Sequence, residues 1–329
     1  MSPGQLTIYL MDEHEGSDPR LTRIMIRCEL IDAGWTDRGI ARMLRAGIWV
    51  KIRRGAYAVR QDWRMLDKAG QHVVRTRAVM RQANTEVVAS HVSGLMFYDG
   101  PTWGLDLSSV HVTRTDGRSG RAEAGVRQHR GRILEGDCVS RLGIAVMAAP
   151  RLGLEVTTVA GTEAALVAVN HLLHTRATTL EQMRRRYERG IDSWANTLST
   201  DIVLRLADPR IESPGESRVL YLCYLYGLPA PEPQYKVRDG SGRLVAVVDF
   251  AWPELGLFLE FDGKIKYEKL LKDGESPSDV VVREKRREDL VRELTGWRCL
   301  RLVWADLERP EHTANRIRAK LFRAPSLAG

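Results

Sequence analysis

The chain has 329 residues, 43% of them hydrophobic and 28% charged, with a formal net charge of +8. That length supports two or three domains with cores of their own, and the positive balance favours polyanionic partners, nucleic acid first. No apolar run is long enough to cross a bilayer, Met1–Arg20 lacks a signal-peptide core, and Cys28, Cys138, Cys223 and Cys299 show no CxxC spacing, which points to reduced thiols in a cytoplasmic protein without membrane contact.

Residues 1–19 read as a flexible tail. Residues 20–84 read as a compact unit with a connecting helix. Leu21–Ala33 predicts a helix stopped by Gly34, and Thr36 or Asp37 caps a second helix that ends at Gly47. Ile48–Val59 predicts two short strands around Arg54-Gly55, and Trp63–Asn84 a further helix. Two short helices followed by a basic hairpin are the pattern of a winged helix-turn-helix. Arg38, Arg42 and Arg45 recur at four- and three-residue steps and so form one stripe on the second helix. Lys51, Arg53 and Arg54 supply a basic wing, so stripe and wing together suit a DNA groove and its flanking phosphates. A solubilising surface is the alternative reading of the same charges.

Residues 85–205 predict a mixed middle domain. Val87–Tyr98 reads as a small apolar helix, Ser109–Thr113 and Gly125–His129 as strands, and Thr162–Leu173 as a helix with an apolar face. Arg114, Arg118, Arg121, Arg127, Arg130 and Arg132 form a second basic cluster, suited to nucleic acid or to a protein interface. His91, His111 and His129 lack metal-like spacing with Cys or with each other and read as isolated structural histidines.

Residues 206–329 predict the order helix, three-strand meander, helix, strand, helix. Ser213-Pro-Gly-Glu216 is a capping box with proline at the first helical position. Asp249 interrupts a run of Val, Phe and Trp, whereas Glu260 and Asp262 alternate with Leu259 and Phe261. Side chains two apart on a strand share a face, and a turn at Pro253–Gly256 lets Asp249 reach the face of Glu260. Clustered carboxylates repel one another, and a divalent cation such as Mg2+ or Mn2+ would remove the conflict. Asp249 is the hardest of the three to explain blandly, because strands disfavour Asp and an unpaired buried charge is costly. Glu216 is explained by its cap alone, and Glu260 and Asp262 also fit a solvent-facing strand.

That element order, with Glu216 on the first helix, Val248-Asp249-Phe250-Ala251-Trp252 and Leu259-Glu260-Phe261-Asp262-Gly263-Lys264, resembles the PD-(D/E)XK nuclease core. It is similar, more narrowly, to the very-short-patch-repair-like domains. At the N-terminus, Asp32-Ala-Gly-Trp-Thr-Asp-Arg-Gly39 and Arg53-Arg-Gly-Ala-Tyr57 resemble type IV toxin–antitoxin antitoxins of the AbiEi type. The resemblance implies an α+β chain: an N-terminal winged helix, a mixed middle domain and a restriction-endonuclease-like core with a mixed sheet flanked by helices. It implies that Asp249 and Glu260 ligate Mg2+, that Glu216 and Asp262 support the site, and that a lysine polarises the phosphate. The usual Glu-x-Lys is Glu260-Phe-Asp262 here, so Lys264, with Lys266 or Lys285 as substitutes, takes that expectation. The function implied is DNA hydrolysis in defence or repair. The alternatives are a non-catalytic antitoxin and autoregulator, with DNA and a cognate toxin as partners, or a module that binds an acidic protein.

Overall fold

The computed structural model describes residues 18–118, 120–190, 197–263 and 277–322, with the backbone alone for 277–284. The chain is mixed α+β and divides into two compact units. The first comprises Met1–Ala160 and Glu181–Thr197, the second Gly161–Leu180 and Leu198–Gly329. The expected tail falls mostly outside the described residues, and Lys264 and Lys266 lie wholly outside them.

The first unit begins with strand β1 (Met25–Ile26), helix α1 (Arg27–Asp32) and helix α2 (Asp37–Arg45). The helix expected from Leu21 is therefore shortened to its second half. Ile24, Met25 and Ile26 are all buried in succession, a demand that a strand covered on both faces meets and a one-sided surface helix does not. The α2 helix starts where the sequence places it, with the Gly39 N–H donating to Thr36 Oγ1 at 3.1 Å. Gly34 and Gly47 close α1 and α2 in the left-handed region, at φ of +86° and +70°. Strands β2 (Trp49–Arg53) and β3 (Ala56–Val59) form the hairpin, and the small sheet runs β1-β3-β2. Ile40 and Met43 of α2 pack with Trp49, Tyr57 and Met25 beneath it.

Helices α3 (Arg60–Met65) and α4 (Lys68–Arg81) lead to a six-stranded sheet. Val87–Ala89 is a fully buried strand, β4, and only His91–Leu95 is α-helical, as α5. The single apolar helix expected there is thus a strand and a helical turn, because consecutive buried Val residues suit a covered strand. Strands β5 (Val110–Arg114), β6 (Ala122–Glu123), β7 (Val126–Arg130), β8 (Cys138–Arg141) and β9 (Ile144–Met147) complete the order β6-β7-β5-β4-β9-β8. The β5 and β7 strands are parallel neighbours, with Thr113 opposite His129. Helix α6 (Ala149–Thr157) follows.

The second unit takes helix α7 (Thr162–His174), after which helix α8 (Leu180–Glu188) belongs almost entirely to the first. Helices α9 (Thr197–Leu206) and α10 (Pro214–Leu225) precede strands β10 (Glu232–Arg238), β11 (Leu244–Trp252) and β12 (Leu257–Asp262). Helix α11 (Pro277–Thr295), strand β13 (Arg298–Val303) and helices α12 (Trp304–Leu307) and α13 (Pro310–Leu321) close the chain. The sheet order is β10-β11-β12-β13; the first two pairings are antiparallel and the last is parallel. Phe250, Trp252, Leu259 and Phe261 pack with Val219 and Leu222 of α10 and Ile317 of α13. Ala251 and Phe258 pack instead with Val291 of α11.

The start of α10 lies so close to β12 that a Cβ on Gly215 would sit 1.9 Å from Phe261 Cε1. Gly215→Ala is therefore expected to destabilise the chain by about 1–3 kcal/mol, the usual cost of overpacking, as read by urea denaturation.

Candidate functional site

The carboxylates singled out in the sequence all lie in the second unit, on β11, β12 and α10. The β11–β12 ladder pairs Trp252 with Leu257, Ala251 with Phe258 and Phe250 with Leu259. One further step in that register puts Asp249 opposite Glu260. Asp249 is 7% exposed, and its Oδ2 accepts the Phe261 N–H at 2.7 Å. A side-chain oxygen thus takes a β12 amide just where the recorded backbone ladder ends.

Glu260 pairs with a cationic side chain of the following helix. Its Oε1 accepts from Arg287 Nη2 of α11 at 3.1 Å, and Arg287 Nη1 also donates to the Val247 carbonyl at 2.9 Å. The guanidinium supplies the positive charge that the sequence pattern left to a cation. Arg287 reads in sequence as part of an intrahelical charge face; the structure turns it towards the sheet instead. Its neighbour Glu288 takes Arg292 at 2.7 Å and Arg301 at 2.6 Å.

Glu216 is fully buried. Its Oε1 accepts from the Ser213 hydroxyl at 2.6 Å, and its Oε2 accepts from the Glu212 N–H at 3.0 Å and Gln234 Nε2 at 3.2 Å. Ser213 Oγ in turn accepts the Glu216 N–H at 3.2 Å. The capping box is formed and tied to β10. Asp262 is half-buried at the end of β12, and Lys285 is exposed on α11. Magnesium asks for several oxygens at about 2.0–2.1 Å in near-octahedral order. Among the described residues of this unit, no three His, Cys, Asp or Glu side chains gather closely enough to hold an ion. Glu216 is engaged by its cap and Glu260 by Arg287, although one or two carboxylates with several waters are enough to hold magnesium.

The basic surface lies on the first unit. Arg38, Arg42 and Arg45 are exposed on α2, opposite the face that buries Ile40 and Met43. Lys51 and Arg54 are exposed on the hairpin, whereas Arg53 is half-buried and burial lowers its pKa. Among the described residues, no carboxylate pairs with Arg38, Arg42, Arg45, Lys51 or Arg54; Asp37, the acid at the start of α2, is taken by Arg27 at 2.6 Å.

A third constellation was not visible in the sequence. His91, His111 and His129, which read there as isolated, each bring a ring nitrogen within 4.8 Å of the others. The parallel pairing of β5 with β7 places His111 and His129 on one face of the sheet, and His91 begins α5 above them. The His91 ring stacks on His129 at 3.6 Å between centroids. Behind it runs a buried charge chain. Arg151 Nε donates to Glu155 Oε1 at 2.8 Å and its Nη1 to Asp137 Oδ2 at 2.7 Å, and Arg186 Nε donates to Asp137 Oδ1 at 2.7 Å. Burial raises the Glu155 carboxyl's pKa despite Arg151. Burial also opposes ionisation of Asp137, but the bonds from Arg186, the Leu134 N–H and Arg151 outweigh it and leave its pKa lowered. A cavity of about 220 Å3 opens beside the cluster, lined by His91, His129 and Glu155 and edged by Arg130, Arg132 and Arg189. The usable signal in the sequence was that His111 and His129 each sit on a predicted strand; what was missing was that those strands are adjacent and parallel.

No family model matches the chain. It is 35% identical over 123 residues to uncharacterized protein MT2308 of Mycobacterium tuberculosis (strain CDC 1551 / Oshkosh). It is equally similar to uncharacterized protein Rv2248 of strain ATCC 25618 / H37Rv. The match takes in 37% of this chain and 42% of the length of each relative. Among the described residues, no helix is long and apolar enough to cross a membrane.

A fourth histidine, His72, is fully buried in the same unit. Its Nδ1–H, assigned from the partner, donates to the Leu107 carbonyl at 3.1 Å, and its Nε2 accepts from Ser93 Oγ at 2.7 Å. Desolvation first, then neighbouring positive charge, pushes its pKa down to about 4 from an ordinary 6.5. The folded state thus prefers neutral His72. Its contribution is complete above pH 6.5 and is lost as the pH falls towards 4, about 3 kcal/mol over that window. Wild-type stability in urea is expected to fall on acidification already between about pH 6.5 and 5, before the carboxylates protonate. His72→Gln is expected to reduce that slope by the share of one histidine, and an unchanged slope would contradict the assignment.

Proposed function

We propose that the chain is a cytoplasmic DNA-binding protein of the antitoxin type, a regulator that uses its nuclease-like C-terminal unit as a scaffold rather than as a catalyst. The observation that carries this reading is the α2 stripe. Three guanidinium groups share its exposed face, its opposite face is packed on Trp49 and Tyr57, and a basic hairpin follows directly. A helix anchored on one side and positively charged on the other suits insertion beside a phosphate backbone, with Lys51 and Arg54 reaching flanking phosphates. The resemblance to AbiEi-type antitoxins supports an operator as the DNA and a cognate toxin as the protein partner.

Binding to the promoter of its own gene is expected to weaken steeply with salt. The Arg38→Ala/Arg42→Ala/Arg45→Ala variant should lower affinity and reduce the slope of log K against log salt by about 3, one phosphate per arginine. Fluorescence anisotropy across a salt series reads both quantities, and an unchanged slope would remove α2 from the interface.

A second reading, a Mg2+-dependent nuclease, is favoured by the element order of the second unit and by Asp249 standing opposite Glu260 in the β11–β12 register. The Arg287–Glu260 pair weighs against it. The expected result is no cleavage of supercoiled or linear DNA with either Mg2+ or Mn2+. Metal-dependent cleavage that disappears in a folded Asp249→Asn variant would reverse the order of the two readings.

A further inference from the structure

His91 occupies an uncommon backbone state. It begins α5 with φ of +51°, in the left-handed region that costs a non-glycine residue of order 1 kcal/mol or more. The strain is held by its neighbours: the His91 N–H donates to Glu155 Oε2 at 3.2 Å. The ring Nδ1 lies 2.9 Å from Ser90 Oγ and 3.7 Å from Glu155 Oε2, which leaves Nε2 for other contacts. Below it, His129 Nε2 and His111 Nδ1 share a hydrogen bond at 3.0 Å, one donating and the other accepting, and a change of tautomer in the donor ring frees both for an ion. Two nitrogens bound to one ion at about 2.1 Å, at angles between square and tetrahedral, stand about 3.0–3.4 Å apart, so this pair already has ligand spacing.

We propose that His91, His111 and His129 form a three-nitrogen site for a divalent transition-metal ion of the zinc class. Neutral imidazoles are the ligands that zinc, cobalt, nickel and copper share, and three of them leave a coordination position open. His91 and His129 both line the cavity, so that position faces it, and the arginines at its edge suit an anionic fourth ligand. Ser90 Oγ, 2.9 Å from Nδ1, orients the His91 ring from outside the site, and Glu155, itself fixed by Arg151, holds the His91 backbone N–H. The stacked rings are 18° from parallel; binding would turn them towards a common point about the soft ring torsion.

The electrostatics agree with this geometry. Desolvation comes first for all three: with the neighbouring rings and arginines it holds His91 well below its ordinary value, with Arg127 it holds His111 at about 4, and with His111 and Arg127 it holds His129 at about 3. The charge of Arg151 is balanced by Glu155 and Asp137, and Arg127 is exposed to screening solvent. The site is independent of the α2 stripe and of the nuclease-like unit, so its fate does not follow theirs.

The test uses the full chain, stripped with a chelator and titrated at pH 7 with Zn2+ by calorimetry and with Co2+ by visible absorption. One equivalent at micromolar affinity or tighter is expected, with ligand-field bands from Co2+ and a higher melting temperature with Zn2+. His129→Gln should weaken binding by roughly 100-fold or more, whereas His72→Gln should keep it. Because a buried substitution can unfold the chain, the wild-type protein gives the deciding readout. In a histidine side-chain 1H–15N spectrum, Zn2+ should move the signals of His91, His111 and His129 and leave those of His72, His171, His174 and His312. No uptake in the micromolar range, or uptake that leaves the three signals in place, overturns the proposal.

Discussion

A carboxylate removed from water has to meet either a positive charge or several N–H and O–H donors, and this requirement organises both units. Arg151 joins Glu155 to Asp137 beneath the six-stranded sheet. In the second unit the buried charge is the cation: Arg218, 5% exposed, is met by the more exposed Glu163 and Glu308 and also donates to the Leu307 carbonyl. Glu216 takes the other route and is met by a hydroxyl, an amide N–H and a glutamine amide. Pairs of this kind add little net stability over an apolar packing, but they are costly to break, since the partner left behind is a buried charge. They therefore fix geometry more firmly than they deepen the native state.

The same requirement decides how the β11–β12 carboxylates are read. Strand alternation and the short turn at Pro253–Gly256 were enough to bring Asp249 and Glu260 to the same level, and the register agrees. The sequence could not say which cation would stand beside them. Glu284, Lys285, Arg286, Arg287 and Glu288 have the spacing of intrahelical pairs, and spacing along a helix does not reveal which side faces a sheet. Arg287 turned out to face it. The capping box at Ser213–Glu216 and the Thr36 cap were legible because each is a local exchange of hydrogen bonds over three residues. The histidine cluster was not, because it needs β5 beside β7 in parallel and a left-handed residue at the start of α5. Neither condition leaves a periodic trace in the chain.

Local signals also erred where burial overrode them. Val87–Tyr98 is apolar throughout, and a continuous apolar run does not separate a buried helix from a buried strand. The central place of β4 settled the matter: Val87, Val88 and Ala89 all pair with β5, and Ala89 also pairs with Val146 of β9, so the run needs no polar face. Met25 and Ile26 form an edge strand instead, paired with Tyr57 and Ala56 and buried on both faces.

In the second unit, Arg287 already engages one oxygen of Glu260. Arg287 uses one guanidinium nitrogen on Glu260 and another on the Val247 carbonyl, so it is held by the backbone as well as by the acid. An ion arriving at Glu260 would have to displace a charge-assisted bond and shed part of its own tightly held water. Asp249 offers limited help, because one of its oxygens is already bonded to the Phe261 amide at the point where the two strands part. The α2 stripe faces no such competition: its arginines project from a helix whose apolar side is already packed, and a phosphate can reach them without disturbing the fold.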